Sequence, residues 1–315
     1  MKTQSDIRSL PKSHCSQTPI AALEQHMLNI LQNGDSLDTL APCSAVAAAL
    51  YHLGTGGQRI RAVLALHAGK HLGLTAQDTQ ALAAACELLH NASLIHDDLH
   101  DRDTQRRGQP SVWHEFGDEV AICAGDLLIS AAYLALSQLA NVARVPALFA
   151  LMHARTATAI RGQCADISRP DNRAATIPEF KNIALTKSGA LLSLPTELAL
   201  LAAGHDGALT RAREAALAFS IAYQIHDDLA DADVDAARKP NKASATNPIA
   251  GHTACNVVLI LQSDPNCVNA KMEAQQIGLQ QLAVAASACA DLPFNSGGAL
   301  CAMCSQLQDE LECLE

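Results

Sequence analysis

Apolar residues recur at helical spacing along almost the whole chain. From about residue 19 onward, runs rich in Ala and Leu alternate with short breaks of Gly, Pro, Asn or Asp. An alternating strand pattern is missing from the sequence, and its β-branched residues are diluted by alanine. The pattern predicts an all-α fold with helices over residues 19–31, 41–53, 59–71, 76–101, 118–139, 146–167, 177–187, 188–203, 210–232, 252–262, 270–290 and 298–314.

The domain organisation follows from what separates these helices. Their connections are short and no Gly-, Ser- or Pro-rich linker divides the chain, so we expect residues 1–315 to form one domain, a bundle of about ten or more helices around a deep central cavity. Residues 1–18 are expected to be a flexible N-terminal segment. The least regular stretch, residues 233–251, holds two prolines and is predicted to be a mobile loop at the active site.

Composition excludes several function classes. Lys and Arg number 22 against 32 Asp and Glu, for a net charge of −10, which is the wrong sign for a protein that neutralises nucleic-acid phosphates. Aromatic residues make up only 3%, too few for base-stacking platforms.

The start of the chain lacks the apolar core of a secretory signal, and no stretch of eighteen apolar residues occurs, so we expect a cytoplasmic protein without a membrane span. The eleven cysteines are expected to be reduced and mostly buried.

An acidic motif occurs twice, and each copy ends a long apolar helix. Residues 95–101 read IHDDLHD and residues 225–231 read IHDDLAD. At helical spacing, the aspartates of each copy lie on one side of a helix end, where they repel each other and the negative end of the helix dipole. One copy alone is as well explained by a solvated acidic helix end. Two copies facing each other across a bundle predict a Mg²⁺ site for a diphosphate, with the candidate ligands Asp97, Asp98, Asp101, Asp227, Asp228 and Asp231.

Two basic segments complement these carboxylates. Arg106 and Arg107 precede Gly108 just past the first motif, where paired guanidinium groups can bind phosphate oxygens. Upstream, the segment 56–61 (GGQRIR) places Arg59 and Arg61 at the start of a helix, a position that attracts anions. Taken alone, each segment could equally be a solvated basic turn.

With these motifs together, the sequence resembles the trans-isoprenyl diphosphate synthases, the polyprenyl synthetase family of all-α enzymes. Both aspartate-rich motifs, the Arg-Arg-Gly and the segment 56–61 match the family's pattern in the family's order. Its Gly-Gln-x-x-Asp motif resembles residues 162–166 (GQCAD), and its Lys-Thr-Gly resembles residues 187–189 (KSG). The likeness runs over nearly the whole chain.

The resemblance implies a prenyltransferase that joins isopentenyl diphosphate to an allylic diphosphate (dimethylallyl, geranyl or farnesyl), usually as a homodimer. It implies about three Mg²⁺ ions per active site, with Mn²⁺ as a possible substitute, held by the six aspartates. Lys187, Arg106 and Lys239 would contact the allylic diphosphate, and Lys187 and Arg106 count with the aspartates as catalytic. Isopentenyl diphosphate would lie against Arg61, His90 and Arg107. The remaining substrate-binding candidates are Gln58, Arg59, Ser188 and Gln224.

The sequence departs from the family pattern in two places. Gln58 stands where the family usually carries a lysine for isopentenyl diphosphate, which predicts weaker binding of that substrate. After the second motif the family's two lysine-containing segments are altered. Lys239 can stand for the first lysine, with Lys242 in reserve, whereas the second is missing unless His252 replaces it.

Product length is predicted from the residues one helical turn before Asp97, about 5.4 Å deeper. Ala92 and Ser93 are small and would leave room for a growing tail, and Leu88 and Leu89 form the next possible floor. We therefore expect a product of about twenty carbons, geranylgeranyl diphosphate, or longer. The opposite interpretation is that Ala92 and Ser93 only serve helix packing, and a farnesyl diphosphate synthase is the alternative.

Two other activities are compatible with part of the pattern. A class I terpene cyclase usually has an Asn/Ser/Glu-type second motif and lacks the Arg61, His90 and Arg107 set. A non-catalytic synthase subunit generally loses one or both aspartate motifs. Because this sequence keeps all of these features, both alternatives are less favoured.

Overall fold

The computed structural model describes residues 18–32, 44–168, 175–237 and 255–314 of the chain. Within these ranges the fold is α-helical, as predicted, apart from short 3₁₀ turns, one π-helical segment and two two-residue strands, β1 (Gln105–Arg106) and β2 (Gln109–Pro110), which pair antiparallel. The α-helices are α1 (Pro19–Gln32), α2 (Ser44–Gly54), α3 (Ile60–His71), α4 (Ala76–Asp101), α5 (Val112–Phe116), α6 (Asp118–Ser137), α7 (Val145–Ile167), α8 (Ile177–Ile183), α9 (Ala190–Ala202), α10 (Leu209–Ala237), α11 (Val257–Gln262), α12 (Ala270–Ala290) and α13 (Gly298–Glu312).

Helix α4 lies at the centre of the largest core cluster. It packs on α3, α6 and α9, while α10 packs on α9, α12 and the π-helical segment. The core is built from alanine and leucine, and in α9 every residue from Ala190 to Leu201 is buried. Small side chains let the helices approach closely, and each fully buried leucine stabilises the fold by about 1.5–3 kcal/mol. Helix α4, which carries the first aspartate motif, is therefore held on several sides.

The two motif-bearing helices end differently. Thr75 caps the start of α4 by accepting a hydrogen bond from the Asp78 amide, and the helix stops at Asp101 because Arg102 is left-handed, with φ 57°. The predicted bounds of α4 are confirmed. Helix α10, expected to end at residue 232, continues to Ala237 because its alanine-rich end meets no helix breaker there. The loop predicted from residue 233 is thus wrong for residues 233–237, and residues 238–251 lie outside the described residues.

The predicted boundary between residues 187 and 188 is wrong as well. The chain runs from α8 into a π-helical segment, Ala184–Gly189, and directly on into α9. Ser188 and Gly189 resembled a break because both weaken helices, but packing keeps the backbone helical here. Helix α5 and the β1–β2 pair were not predicted.

One helix in the described ranges, α6, is long and apolar enough to cross a membrane, and 44% of its most apolar window is buried inside the structure. The expectation of no membrane span stays a prediction. Ile122 and Leu134 of α6 are 48% exposed.

Among the cysteines, Cys86 is buried, but Cys123 and Cys164 are exposed because they lie on the outer sides of α6 and α7, contrary to the prediction for those two. The expectations of a single domain with a flexible residue 1–18 segment also stay predictions.

Candidate functional site

The first aspartate motif, at the end of α4, lies among cations. Asp98 is fully buried, and its Oδ1 accepts a hydrogen bond from Arg106 Nε at 2.8 Å and another from Nη2. Its Oδ2 is buried and accepts no hydrogen bond from the described residues. The β1–β2 pair returns the chain towards α4 after the left-handed Arg102, which explains how Arg106 reaches back to Asp98.

Lys187 brings a second cation to this motif. Its Nζ lies 3.0 Å from Asp97 Oδ1 and 3.4 Å from Asp166 Oδ2. Although burial opposes it, the charges of Asp97 and Asp166 raise the pKa of Lys187. The ammonium group therefore stays protonated between these two carboxylates.

Two glycines allow the Lys187 segment to take this position. A Cβ at Gly162 would lie 2.5 Å from Thr186 Oγ1 and 2.6 Å from the backbone N of Lys187. A Cβ at Gly189 would lie 2.7 Å from Leu217 and Ser220 side-chain atoms of α10. The π-helical segment is thus packed between α7 and α10 at distances that only glycine permits, and this packing brings the 162–166 and 187–189 motifs together.

The carboxylates of the first motif are difficult to ionise together. Desolvation and then the charge of Asp97 raise the pKa of Asp101 to about 6, with Lys187 opposing the shift. Desolvation also raises the pKa of Asp98 against the opposing effect of Arg106. Cations beside Asp98 and Asp101 therefore favour the charged forms of these two carboxylates.

The second motif lies inside α10 and has different partners. Asp228 is buried; its Oδ1 accepts a hydrogen bond from Gln224 Nε2 at 2.9 Å, and its Oδ2 accepts one from the Val257 amide at 2.7 Å. Asp227 is 43% exposed and lies 3.5 Å from Nδ1 of His226, whose pKa it raises. Asp231 is partly exposed. In this motif Asp228 anchors the start of α11, which the sequence did not reveal.

The basic candidates gather around the start of α3. Arg107 is left-handed, with φ 55°, and donates a hydrogen bond to the Gly56 carbonyl. A Cβ at Gly57 would lie 2.7 Å from the guanidinium carbon of Arg107, so glycine makes room for it. Burial, Arg61 and Arg107 lower the pKa of the partly exposed His90 well below its usual value. His90 is therefore neutral beside these two arginines.

Several buried polar atoms in this basic cluster have no hydrogen-bond acceptor among the described residues. They include Nη1 of Arg59 and Nε of Arg61. Nη1 of Arg59 lies 3.7 Å from Glu87 Oε2, whereas Nε of Arg61 is a buried donor that could serve an anionic ligand, since buried donors are normally paired. Tyr223 of α10 connects the cluster to the second motif, since burial and Asp227 raise its pKa to about 12 and Arg61 opposes the shift.

The structure places the remaining candidates as follows. Gln58 is exposed, Ser188 is partly buried beside Lys187, and Gln224 contacts Asp228. Lys239, Lys242 and His252 lie outside the described residues. On α4 the partly exposed His90, Ser93 and Asp97 follow one another at helical spacing, whereas Leu88, Leu89 and Ala92 are buried in the core cluster. Of the chain-length candidates, Ser93 thus shares the side of α4 that carries Asp97.

Sequence reasoning missed two buried groups near this site. Glu87 is 2% exposed and contacts the start of α3, and His52 is 1% exposed with a pKa lowered to about 3 by burial and by Arg107 and Arg106. A signal was available for Glu87, because a single carboxylate inside the apolar run 81–89 needs a polar partner. His52 carried no such signal.

The donor set fits Mg²⁺ that is shared with a ligand. In the part of the chain that the structure describes, no group of three or more His, Cys, Asp or Glu side chains is arranged to hold a metal ion by itself. Mg²⁺ usually takes one or two carboxylates and completes its coordination with water and substrate phosphates. The buried Oδ2 of Asp98, which accepts no hydrogen bond from the described residues, and the partly exposed Asp97 suit such an arrangement.

Comparison with known proteins identifies the family to which this chain belongs. The family model described as polyprenyl synthetase matches residues 44–283. The chain is 31% identical over 209 residues to a short chain isoprenyl diphosphate synthase of Methanothermobacter thermautotrophicus, covering 65% of this chain and 64% of that protein. It is 35% identical over 194 residues to a (2E,6E)-farnesyl diphosphate synthase of Mycobacterium tuberculosis, covering 57% and 53%. The aligned regions thus span about half to two thirds of these relatives.

Solved structures share the fold over nearly the whole chain. The geranylgeranyl pyrophosphate synthetase from Pyrococcus horikoshii matches with a TM-score of 0.74 at 22% identity, covering 91% of this chain and 94% of that one. The decaprenyl diphosphate synthase from Rhodobacter capsulatus matches with a TM-score of 0.72 at 19% identity, covering 94% and 96%. At these identities the likeness establishes the helical architecture.

Proposed function

Because this chain belongs to the polyprenyl synthetase family, we propose that it is a trans-prenyltransferase that condenses isopentenyl diphosphate with an allylic diphosphate. One observation carries the proposal: two groups of cations lie along one helix, α4. Arg106 and Lys187 contact the aspartates at its end, and a second group with Arg61 and Arg107 surrounds His90 further up. A condensation needs two diphosphate sites, whereas ionisation of a single substrate needs one.

The allylic diphosphate binds at the first motif. Arg106 and Lys187 hold its oxygens and stabilise the negative charge that develops when the allylic carbon–oxygen bond breaks and its electron pair moves to the leaving diphosphate. Asp97, Asp98 and Asp101, together with the second motif, would hold Mg²⁺, which would supply further charge stabilisation for the leaving group. As the family resemblance implies, we assign Ser188 and Gln224 to the surroundings of the reacting carbons and Lys239 to binding of the diphosphate.

The homoallylic substrate binds at the basic cluster. Arg59, Arg61 and Arg107 bind the diphosphate of isopentenyl diphosphate, and neutral His90 can donate or accept a hydrogen bond without adding charge. The double bond of isopentenyl diphosphate attacks the allylic cation, a new carbon–carbon bond forms, and the departed diphosphate takes the proton that is then lost. Water must be excluded while the cation exists, and the alanine- and leucine-rich surroundings of α4 favour this.

We propose a product of about twenty carbons or longer. The position of Ser93, one turn above Asp97 on the same side of α4, supports this assignment because a small side chain there leaves room for the tail. The names of the relatives span farnesyl, geranylgeranyl and longer products, so product length needs its own measurement. The chain is also proposed to form a homodimer through α6, whose Ile122 and Leu134 are half exposed.

The test is a product analysis with purified protein. Labelled isopentenyl diphosphate is incubated with dimethylallyl, geranyl or farnesyl diphosphate, with Mg²⁺ or with EDTA, and the products are sized by chromatography. We expect a ladder of products ending at about twenty carbons or more, and none with EDTA. A stop at fifteen carbons keeps the synthase and overturns the product length.

The alternatives give different results in the same assay. Diphosphate release without use of isopentenyl diphosphate indicates a cyclase. No turnover with any allylic substrate, together with no effect on the rate or product length of an added active synthase, contradicts the enzyme assignment. A protein that is inactive alone but changes the rate or product length of that synthase, relative to the synthase alone, indicates a synthase subunit.

A further inference from the structure

Glu87 is a buried carboxylate near the basic cluster that the proposed reaction does not use. It lies on α4 inside a run in which residues 81–89 are all buried, and it is 2% exposed. A carboxylate at such a depth is costly unless it is paired and hydrogen-bonded. Its partners therefore indicate what the residue is for.

The first partner is the start of α3. This helix begins at Ile60 after the left-handed Arg59, whose side chain makes no capping hydrogen bond. Instead, Glu87 Oε1 accepts a hydrogen bond from the Ala62 backbone N–H at 3.0 Å. Glu87 thus caps α3 from another helix, satisfying one of the amides that a helix start leaves unpaired.

The second partner is the arginine that precedes this turn. Glu87 Oε2 lies 3.7 Å from Arg59 Nη1, while Arg59 also binds Glu24 Oε1 at 3.2 Å and the Leu53 carbonyl at 3.0 Å. Arg59 is held from both sides: by a 2% exposed glutamate on α4 and by a 46% exposed glutamate on α1.

The charge of Glu87 also acts on the neighbouring arginines. Burial lowers the pKa of Arg61, and Glu87 is the largest influence opposing it. Burial, Arg59 and Arg106 lower the pKa of Arg107, and Glu87 again opposes. Glu87 thus contacts Arg59 and acts through its charge on Arg61 and Arg107, the three arginines that we assign to isopentenyl diphosphate.

We propose that Glu87 is a positioning residue for the homoallylic diphosphate: its hydrogen bond to Ala62 fixes the first turn of α3 so that Arg59 and Arg61 face the anion in a set orientation. Glu87 itself does not touch the substrate, and the inference rests on the proposed function. Donors fixed in advance bind an anion better than donors that must be ordered during binding. The buried Nε of Arg61, which has no hydrogen-bond acceptor among the described residues, is the donor that we expect this arrangement to hold ready for the anion.

Two conservative variants separate reach from charge. Glu87→Asp keeps the charge but is one methylene too short to hold Ala62 in place, whereas Glu87→Gln keeps an acceptor oxygen at the same reach and removes the charge. If position matters, we expect E87D to raise the KM for isopentenyl diphosphate by about tenfold and E87Q to change it by less than about threefold. Loss of a negative charge beside an anion site does not weaken anion binding, so E87Q cannot imitate the defect electrostatically.

Controls show whether the effect is specific. The KM for the allylic diphosphate should change by less than about threefold in E87D, because the allylic site lies at the end of α4, at the first aspartate motif, and not at the start of α3. Glu24→Gln removes the other carboxylate of Arg59 without touching Ala62 and should leave the KM for isopentenyl diphosphate within about threefold. Equal losses for both substrates, or a larger defect in E87Q than in E87D, would overturn the inference.

Binding of isopentenyl diphosphate without Mg²⁺, measured by titration calorimetry, separates this inference from the proposed function. If the wild-type protein makes no condensation product but E87D binds isopentenyl diphosphate about tenfold more weakly than E87Q does, the proposed reaction fails and the positioning role stands. If the wild-type protein condenses both substrates and E87D binds as tightly as wild type, the reaction stands and the positioning role fails.

Discussion

The two aspartate motifs differ by one residue in seven, yet the structure gives them different surroundings. At the end of α4, Asp98 pairs with Arg106 and leaves one buried oxygen without a hydrogen bond from the described residues. Within α10, both oxygens of Asp228 accept hydrogen bonds from protein groups, Gln224 and the Val257 amide. The same sequence motif therefore supplies carboxylates that contact cations at the end of α4, and a carboxylate that caps helix α11 within α10.

The difference originates in where each helix ends. Helix α4 stops at Asp101, and the left-handed Arg102 turns the chain into the strand pair that returns Arg106. Helix α10 continues to Ala237, so residues 232–237 do not turn back towards its motif. Within the described residues, the two motifs thus differ in the structure that follows directly on their C-terminal side.

The largest test of this comparison replaces the matching aspartates. We expect Asp98→Asn to lower kcat by at least about 10³-fold. The negative charge that develops on the leaving diphosphate would be less stabilised, because Asp98 is proposed to hold Mg²⁺ and to orient Arg106. Its effect on Tm should be smaller than that of the matched Asp228 variant, because the new amide keeps one oxygen for Arg106 and replaces an Oδ2 that accepts no hydrogen bond from the described residues. The measurements are steady-state kinetics and thermal unfolding without Mg²⁺.

Asp228→Asn is the matched variant. An amide cannot accept from both Gln224 and Val257, and an unsatisfied buried N–H costs about 1–3 kcal/mol. The free energy of unfolding should fall by that amount, with Tm lower by at least about 2 °C. A larger loss of Tm in the Asp98 variant than in the Asp228 variant would contradict the division of roles.

A smaller effect is expected from Gly162→Ala. The new Cβ would collide with the backbone of Lys187, so the π-helical segment must shift and its ammonium must move away from Asp97. We expect a kcat lower by about 10- to 100-fold and a loss of about 1–3 kcal/mol in the free energy of unfolding. Gly207→Ala, at a position with nothing within 4 Å of a Cβ, is the control and should change neither kcat nor Tm.

The smallest effect concerns the pH dependence of stability and involves His52, which lies near Arg107. Burial and Arg107 lower the pKa of His52 to about 3 in the folded protein, so it is neutral, whereas the pKa of His226 in the second motif is raised. In the unfolded chain His52 protonates near pH 6.5, so the folded state loses stability as pH falls from 6.5 towards 3. Between pH 7 and pH 5, wild type should lose about 2 kcal/mol more than His52→Gln in denaturant unfolding. Equal losses in the two proteins would show that His52 is not kept neutral.

Local signals were sufficient for much of the fold. The bounds of α4 and α12 are those predicted, because a polar cap precedes each helix: Thr75 accepts from Asp78, and Asn269 accepts from Met272. The end of α10 was missed because the nearest breaker, Pro240, lies further on. The π-helical segment was read as a break because its stability comes from packing around Gly162 and Gly189, which no local pattern reports.

The candidate site was predictable in its residue types more than in its contacts. The repeated carboxylates and the Arg106–Arg107 pair were found from spacing and charge alone. The contact of Lys187 with Asp97 joins residues 90 positions apart, and that of Glu87 with Ala62 joins different helices. Such contacts depend on how the helices pack, so the sequence could indicate that Glu87 needs a partner but not which one.

Three arginines in this region, at positions 59, 102 and 107, adopt left-handed backbone conformations that favour glycine. In a laboratory evolution experiment that rewards heat resistance alone, glycine at any of these positions relieves backbone strain. Arg102 pairs with the exposed Asp118, so a library can accept that exchange and keep its activity. At position 107 the same exchange removes a proposed substrate-binding group, and stabilised clones should arise there at the expense of turnover. At position 59 it also leaves the buried Glu87 without its arginine, which costs both stability and substrate binding. Engineering for stability should therefore hold these two positions fixed.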